Sequence, residues 1–317
     1  MTKLVTFGET MLRLAPPPHH RLESAPSLDV HPDRAESNVA VAATRLGADA
    51  AWISKLPDSP LGQRVVADLH RYGLDVDVVW SDSGRQGTYY LEIAGEPRGT
   101  TVVYDRADAA VTTATADELP TEKIRDATVF LTSGITPALS TMLEGTVTDL
   151  LEIAREAGVQ TAFDVNYRSR LWSPDEARGT LEQYFPAIDL LVTPVRDART
   201  VLGESGDVDE IAARLANRWG FETVVITLGA DGALAYRNDD LVKRSAFETE
   251  TVAPVGTGDA FVGGFLASRL EGQNLGTALE YGAATGALKR TIPGDVALVS
   301  REEVDRVVEG QHATISR

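Results

Sequence analysis

Gly256, Thr257, Gly258 and Asp259 close an extended run, and Phe261, Val262, Phe265, Leu266 and Leu270 follow at helical spacing. Gly-Thr-Gly leaves little side chain in the way of an anion approaching the free amides of a helix N-terminus. Those amides and the helix dipole favour a phosphate whose charge grows in a transition state. Asp259 is a carboxylate placed where anions would bind. Two readings stand: a helix N-cap, or a general base that takes a proton from a substrate hydroxyl while the amides hold a phosphoryl group.

Three other constellations could do chemistry. Asp164, Asn166 and Arg168 crowd into one stretch after an apolar run. Arg168 there could hold a carboxylate or phosphate bidentately, or simply pair with Asp164 in a loop. Thr227-Leu-Gly-Ala-Asp-Gly232 is a glycine-marked turn, either an ordinary hairpin or a place for nucleotide phosphates to approach the backbone. Tyr89, Tyr104 and Arg106 fall in β-rich runs. Tyr104 and Arg106 are two apart and share a strand face, with Asp105 opposite. Two phenols and a guanidinium over a cleft suit a polar, acidic substrate; a solvated edge is the alternative. The five histidines, His19, His20, His31, His70 and His312, have no metal-ligand spacing and read as surface residues. There is no phosphate-loop lysine motif and no dinucleotide glycine fingerprint after the first strand.

The elements that must position these groups alternate. Strands are predicted at 4–7, 51–55, 76–80, 129–132, 161–164, 190–193, 223–227 and 234–236. Helices are predicted at 38–46, 60–72, 137–156, 174–184, 208–219, 259–270, 275–289 and 301–309. Such alternation predicts an α/β fold of three layers, α/β/α, with a mostly parallel central sheet. Active sites then lie beyond the carboxyl ends of the strands, where Gly134, residues 166–168, 194–197 and 229–232 fall. Residues 11–33 carry two short strands (12–14 and 28–31). Residues 88–93 and 100–106 form a β-rich pair around a turn at 94–99, with no helix between. The expected organisation is a main domain of residues 1–10, 34–80 and 107–317, with a small antiparallel lid sheet from 11–33 and 81–106. Lids exclude water during phosphoryl transfer. The lid has a face and edges to cover, so at least a homodimer is expected.

Composition bounds the function. The 317 residues are 43% hydrophobic, contain no cysteine and carry a net charge of −17. No run approaches the ~20 apolar residues of a membrane span. The absence of cysteine and of a leader-like N-terminus is most simply met by a cytoplasmic enzyme. Acidic residues are spread along the chain rather than gathered in a tail. This is the surface of a protein from a high-salt cytoplasm, or merely an acidic mesophilic one. Without a basic stripe, nucleic acid is not the expected partner.

Taken together these motifs resemble the ribokinase-like sugar kinases, the phosphofructokinase-B family, over nearly the whole chain. The carrying stretch is Ala253-Pro-Val-Gly-Thr-Gly-Asp259. The resemblance implies Asp259 as catalytic base and the amides of Gly256, Thr257 and Gly258 as an anion hole. It implies Thr227, Gly229, Gly232, Gly256 and Gly258 around ATP, and residues 275–289 along the adenine. Within the family the chain is most similar to 2-keto-3-deoxygluconate kinases. The shared residues are Gly8-Glu-Thr-Met11, Ala35-Glu-Ser-Asn-Val-Ala-Val-Ala42, Ser133-Gly-Ile-Thr-Pro-Ala138, Asp164 to Arg168, Leu171-Trp-Ser-Pro174 and Gly294-Asp295. That implies substrate contacts from Asn38, Tyr89, Tyr104, Arg106, Asn166, Arg168 and Asp295. ATP, a divalent cation such as Mg²⁺, and K⁺ are the implied cofactors. The acidic composition points to a haloarchaeal member. Two departures stand out. Asp33-Arg34 replaces the usual Gly-Gly, where side chains would crowd the sugar pocket, alter sugar choice or reduce activity. Pro194-Val-Arg-Asp197 replaces the usual Asn-x-x-Glu, leaving Asp197 to reach a metal through water. The resemblance implies phosphorylation of the sugar acid's terminal hydroxyl. A kinase for a neutral sugar such as fructose or ribose, and a non-catalytic sugar-acid sensor, are the alternatives.

Overall fold

A computed structural model describes residues 3–17, 20–33, 35–94 and 97–310. Its strands are β1 (Leu4–Phe7), β2 (Met11–Ala15), β3 (Asp29–Asp33), β4 (Ala50–Pro57), β5 (Asp75–Ser81), β6 (Thr88–Glu92), β7 (Thr101–Asp105), β8 (Val129–Ser133), β9 (Gln160–Asp164), β10 (Leu190–Pro194), β11 (Thr223–Thr227), β12 (Ala233–Arg237) and β13 (Asp240–Arg244). Nine of them form one sheet in the order β13-β12-β11-β10-β9-β8-β1-β4-β5. Pairing is parallel from β5 through to β11, and antiparallel only where β12 and β13 are added.

Both faces of this sheet are covered, so its strands read as nearly continuous apolar runs. Alternate residues feed opposite cores. Val129 and Leu131 of β8 belong to the core shared with the helices Ala35–Arg45, Thr257–Leu270 and Leu275–Arg290, whereas Phe130 belongs to the core shared with Thr141–Glu156 and Val208–Trp219. Each fully buried large apolar side chain is worth about 1.5–3 kcal/mol, which anchors the helices whose ends carry the site. The second sheet has the order β3-β2-β6-β7 and draws its strands from within 11–33 and 81–106. Its outer pairings are antiparallel and its middle one, β2 with β6, is parallel.

The expected elements appear with shifted ends, a short additional helix at Thr121–Arg125 and three further differences. The helix expected over 137–156 is interrupted. A 3₁₀ turn at Pro137–Leu139 precedes Ser140, whose extended backbone lets its hydroxyl accept from the Leu143 amide and start a new helix, Thr141–Glu156. A short helix, Val195–Thr200, follows β10. Strand β13 is a further addition to the expected elements, because Asp-Leu-Val-Lys-Arg does not alternate. A two-residue turn makes it, with Asn238 and Asp239 both at positive φ (51° and 65°), as a tight hairpin requires. The turn expected at 94–99 includes residues 95 and 96, which lie outside the described residues, as do Arg34, His19 and His312.

Candidate active site

The helix Thr257–Leu270 begins at Gly256, whose φ of 79° is open to glycine but strained for other residues. A Cβ on Gly256 would stand 1.9 Å from the carbonyl oxygen of Asp295. The turn therefore presses its backbone onto the 294–295 loop. Asp259 is the third residue of the helix, so it is not the N-cap. Gly256 holds that position, with no side-chain cap. The carboxylate of Asp259 instead accepts from Asn38 Nδ2 at 2.8 Å.

Packing explains that hydrogen bond. A Cβ on Gly263 would lie 2.5 Å from Ala42 Cβ and 2.7 Å from the carbonyl of Val39. Gly263 is thus a seat for the helix Ala35–Arg45. Asp259 lies four residues before Gly263, and Asn38 four residues before Ala42, so each pair shares one helix face. The close approach at Gly263 and Ala42 fixes the contact one turn above it. The start of the Ala35–Arg45 helix is itself tied down. Glu36 is fully buried and accepts from Ser133 Oγ at 2.6 Å and Thr136 Oγ1 at 2.8 Å, and a Cβ on Gly8 would collide with its carboxylate.

Two cavities meet at the N-terminus of Thr257–Leu270. One, about 420 Å³, lies between the two sheets. Tyr89, Tyr104, Asn166, Arg168 and Asp259 line it, with Gly256, Thr257 and Gly258 across from the lid strands. The other, about 250 Å³, is lined by Thr227, Gly229, Gly232, Phe247, Thr257, Gly258, Ala283 and Arg290. Thr257 and Gly258 belong to both. A group held by their amides can therefore face one occupant on each side, which is the geometry a transferring group needs.

Arg106 and Asp295 stand behind the wall of the larger cavity. Arg106 donates to Glu9 at 3.1 Å and lies 4.8 Å from the Tyr104 ring centroid. Asp295 accepts from Arg13 at 2.5 Å and from Tyr89 at 3.3 Å, and its second carboxylate oxygen is buried with no hydrogen-bond partner among the described residues. Sequence reasoning did not single out Arg13, since its partner lies 282 residues away. Asp33, expected to crowd the pocket, is built into it. It accepts from Asn38 Nδ2 at 3.0 Å and from the Tyr89 hydroxyl. Burial, with Asp33 and Asp295 beside it, pushes the Tyr89 phenol far up, so it stays a hydrogen-bond donor. Arg34 lies outside the described residues.

The larger cavity is also rich in carboxylates, with Asp164, Asp197 and Asp259 in its wall. Asp164 at the end of β9 accepts from the amide and the Nδ2 of Asn166, both at 3.2 Å, and forms no ion pair with Arg168 among the described residues. Burial, then Asp259 and Asp197, push its carboxyl up to about 8, against a downward pull from Arg168. Asp197, fully buried in the short helix after β10, accepts from the Tyr167 amide at 3.2 Å and from Arg196 Nε at 2.7 Å. Among the described residues no cluster of three or more His, Cys, Asp or Glu could by itself hold a metal. The crowded carboxylates on one cavity wall nevertheless fit a divalent cation carried mainly by phosphate and water.

A mostly parallel sheet with a smaller second sheet, and a glycine-led helix start lining two cavities at once, is the arrangement of the ribokinase-like class. The pfkB family carbohydrate kinase pattern matches residues 1–300, and the chain belongs to that family. It is 56% identical to a 2-dehydro-3-deoxygalactonokinase of Haloferax volcanii over 99% of both chains. It is 31% identical to a 2-dehydro-3-deoxygluconokinase of Thermoproteus tenax, over 98% of this chain and 95% of the relative. Among solved structures, a 2-dehydro-3-deoxygluconokinase of Thermotoga maritima superposes with a TM-score of 0.92 at 36% identity, covering 98% of each chain. No helix among the described residues is long and apolar enough to cross a membrane.

Proposed function

We propose that this kinase transfers the γ-phosphoryl group of ATP to the terminal primary hydroxyl of a 2-keto-3-deoxy sugar acid, the galacto epimer foremost. The observation that carries the substrate is the 56% identity, over 99% of both chains, to a kinase named for that acid. Arg168 in the same cavity as Asp259 supports it, because a neutral sugar offers such a guanidinium no anionic partner.

In this reading the sugar acid occupies the larger cavity and ATP the smaller, with the γ-phosphoryl at Gly256, Thr257 and Gly258. Asp259, oriented by Asn38, takes the hydroxyl proton. The oxygen attacks phosphorus in line, the bond from phosphorus to the β,γ-bridging oxygen breaks, and ADP leaves with that electron pair. The three amides meet the charge on the transferred group. Arg168 and the lid residues Tyr89 and Tyr104 bind the acid; Arg106 acts from behind Tyr104, and Asp295 through Tyr89. Asp164 and Asp197 would help to hold Mg²⁺, which would supply positive charge to offset that of the phosphates.

The test is ADP release at molar KCl with Mg-ATP, comparing 2-keto-3-deoxygalactonate, 2-keto-3-deoxygluconate, fructose and ribose. Turnover confined to the two acids is expected. Arg168→Ala should raise KM for the acid about 10–100-fold, the worth of a charged hydrogen bond. Preferred turnover of fructose or ribose, unaffected by Arg168→Ala, would refute the substrate. Saturable binding of the acid with no ADP formed would establish a sensor.

A further inference from the structure

The last turn of the helix Leu275–Arg290 carries Lys289, a lysine with no exposed surface. The other four lysines are exposed or half-buried. Burying an ammonium costs several kcal/mol unless it is paired and hydrogen-bonded. Lys289 Nζ donates to the carbonyl of Ala253 at 3.0 Å and to that of Gly294 at 2.6 Å. Burial lowers its pKa; Asp295, Asp33 and Asp259 hold it up, and Arg13 opposes them.

The two carbonyls belong to segments that meet behind the phosphoryl site. Ala253 leads through Pro254 and Val255 into Gly256. Gly294 leads into Asp295, whose carbonyl oxygen is the atom that Gly256 packs against. The same helix end fastens the first segment a second time, because the carbonyl of Arg290 accepts from the amides of Val252 at 2.8 Å and Ala253 at 3.1 Å. Without the ammonium, two carbonyls lose their donor and Asp295, Asp33 and Asp259 lose a nearby positive charge.

We propose that Lys289 is a positioning residue for phosphoryl transfer, clamping the Ala253–Gly256 lead-in to the 294–295 loop so that the amides of Thr257 and Gly258 point at the transferring group. It touches neither substrate. Its effect falls on the transition state, where those amides meet the most charge. The inference rests on the kinase reading of the two cavities and not on which sugar acid is the acceptor.

The experiment compares wild type with Lys289→Met. Calorimetry measures MgADP binding with and without aluminium fluoride, which mimics the transferring phosphoryl and requires no knowledge of the acceptor. MgADP affinity should stay within about threefold, while the extra affinity given by aluminium fluoride is lost. With the acceptor that wild type uses, kcat should fall about 10²–10³-fold, as for a misplaced oxyanion donor, with KM for ATP nearly unchanged. Full retention of the aluminium fluoride effect, or a rise in KM at unchanged kcat, would overturn the proposal. If Lys289→Met does not fold, wild type gives the reading. With only five lysines in the chain, the ¹⁵N resonance of the Lys289 ammonium is assignable. It should shift when aluminium fluoride joins MgADP and not with MgADP alone; no shift would equally overturn it.

Discussion

Replacing Asp259 by asparagine separates a base from a structural group. Asp259 accepts from Asn38 Nδ2 at 2.8 Å, and an asparagine there can turn its own carbonyl oxygen to the same donor. The change conserves shape and removes one negative charge from a neighbourhood that already holds Asp164, Asp197, Asp33 and Asp295. Asp259 is itself among the causes that raise Asp164 and Asp295. Removing it relieves that repulsion, so the melting temperature should hold or rise. MgADP affinity should hold or tighten, because a carboxylate facing phosphate is gone. Turnover should behave oppositely. A positioned general base contributes about 10²–10⁴-fold, or about 3–5 kcal/mol of barrier. Steady-state ADP release gives kcat, and calorimetry gives nucleotide binding on the same samples. A kcat within about tenfold of wild type would remove Asp259 from the chemistry. A kcat loss matched by loss of stability and nucleotide binding would reassign it to structure.

Two further outcomes test the surroundings. Gly256→Ala places a methyl where φ is 79° and the Asp295 carbonyl oxygen would be 1.9 Å away. The left-handed conformation costs about 1–2 kcal/mol before the clash, so thermal unfolding should move down and turnover collapse. Gly258→Ala, whose methyl meets nothing within 4 Å, should leave the melting temperature nearly unchanged, and equal destabilisation by both would refute the packing argument. Asp164 gives a pH signature. Its folded value of about 8 stands above the ordinary ~3.9 of an unfolded chain. The stability it contributes is therefore full below about pH 4 and is lost as pH rises to about 8. Asp164→Asn should flatten that slope and be the more stable protein at pH 8–9 by on the order of a few kcal/mol. Parallel stability curves for the two proteins would show that Asp164 is not carrying the effect.

The sequence made legible whatever depends on local spacing. Strand and helix alternation placed the parallel sheet, and Gly256 to Asp259 stood out because small residues and one carboxylate preceded an apolar helix. Contacts between segments distant in the chain were not legible. Arg13 lies in the second sheet and its partner Asp295 near the other end of the chain. Lys289 in sequence is one more cation in the last turn of a helix. Only the close packing of Gly256 on Asp295 shows what its ammonium ties together. Asp33 was visible as an anomaly, yet its two donors, Tyr89 and Asn38, come from a lid strand and a core helix. The N-cap reading of Asp259 failed for a local reason: a glycine at positive φ starts the helix earlier than the apolar pattern does.

The distribution of charge binds these details into one argument. A chain with a net charge of −17 must bind two anions, a nucleotide and, in the proposed reaction, a sugar acid. Its average field repels both, and dissolved salt screens that field beyond roughly 10 Å. In the proposed reading affinity comes from short-range donors that line the cavities: the amides of Gly256 to Gly258, Arg168, and Arg290 beside the smaller cavity. The same cavity walls carry Asp164, Asp197 and Asp259, which oppose an anion until a cation accompanies it. Arg13 and Lys289, both buried, offset Asp295 and Asp33 from behind without facing either cavity. Raising salt should therefore change the approach of ligands more than their contacts once bound, because those contacts lie within a few ångströms and out of reach of mobile ions.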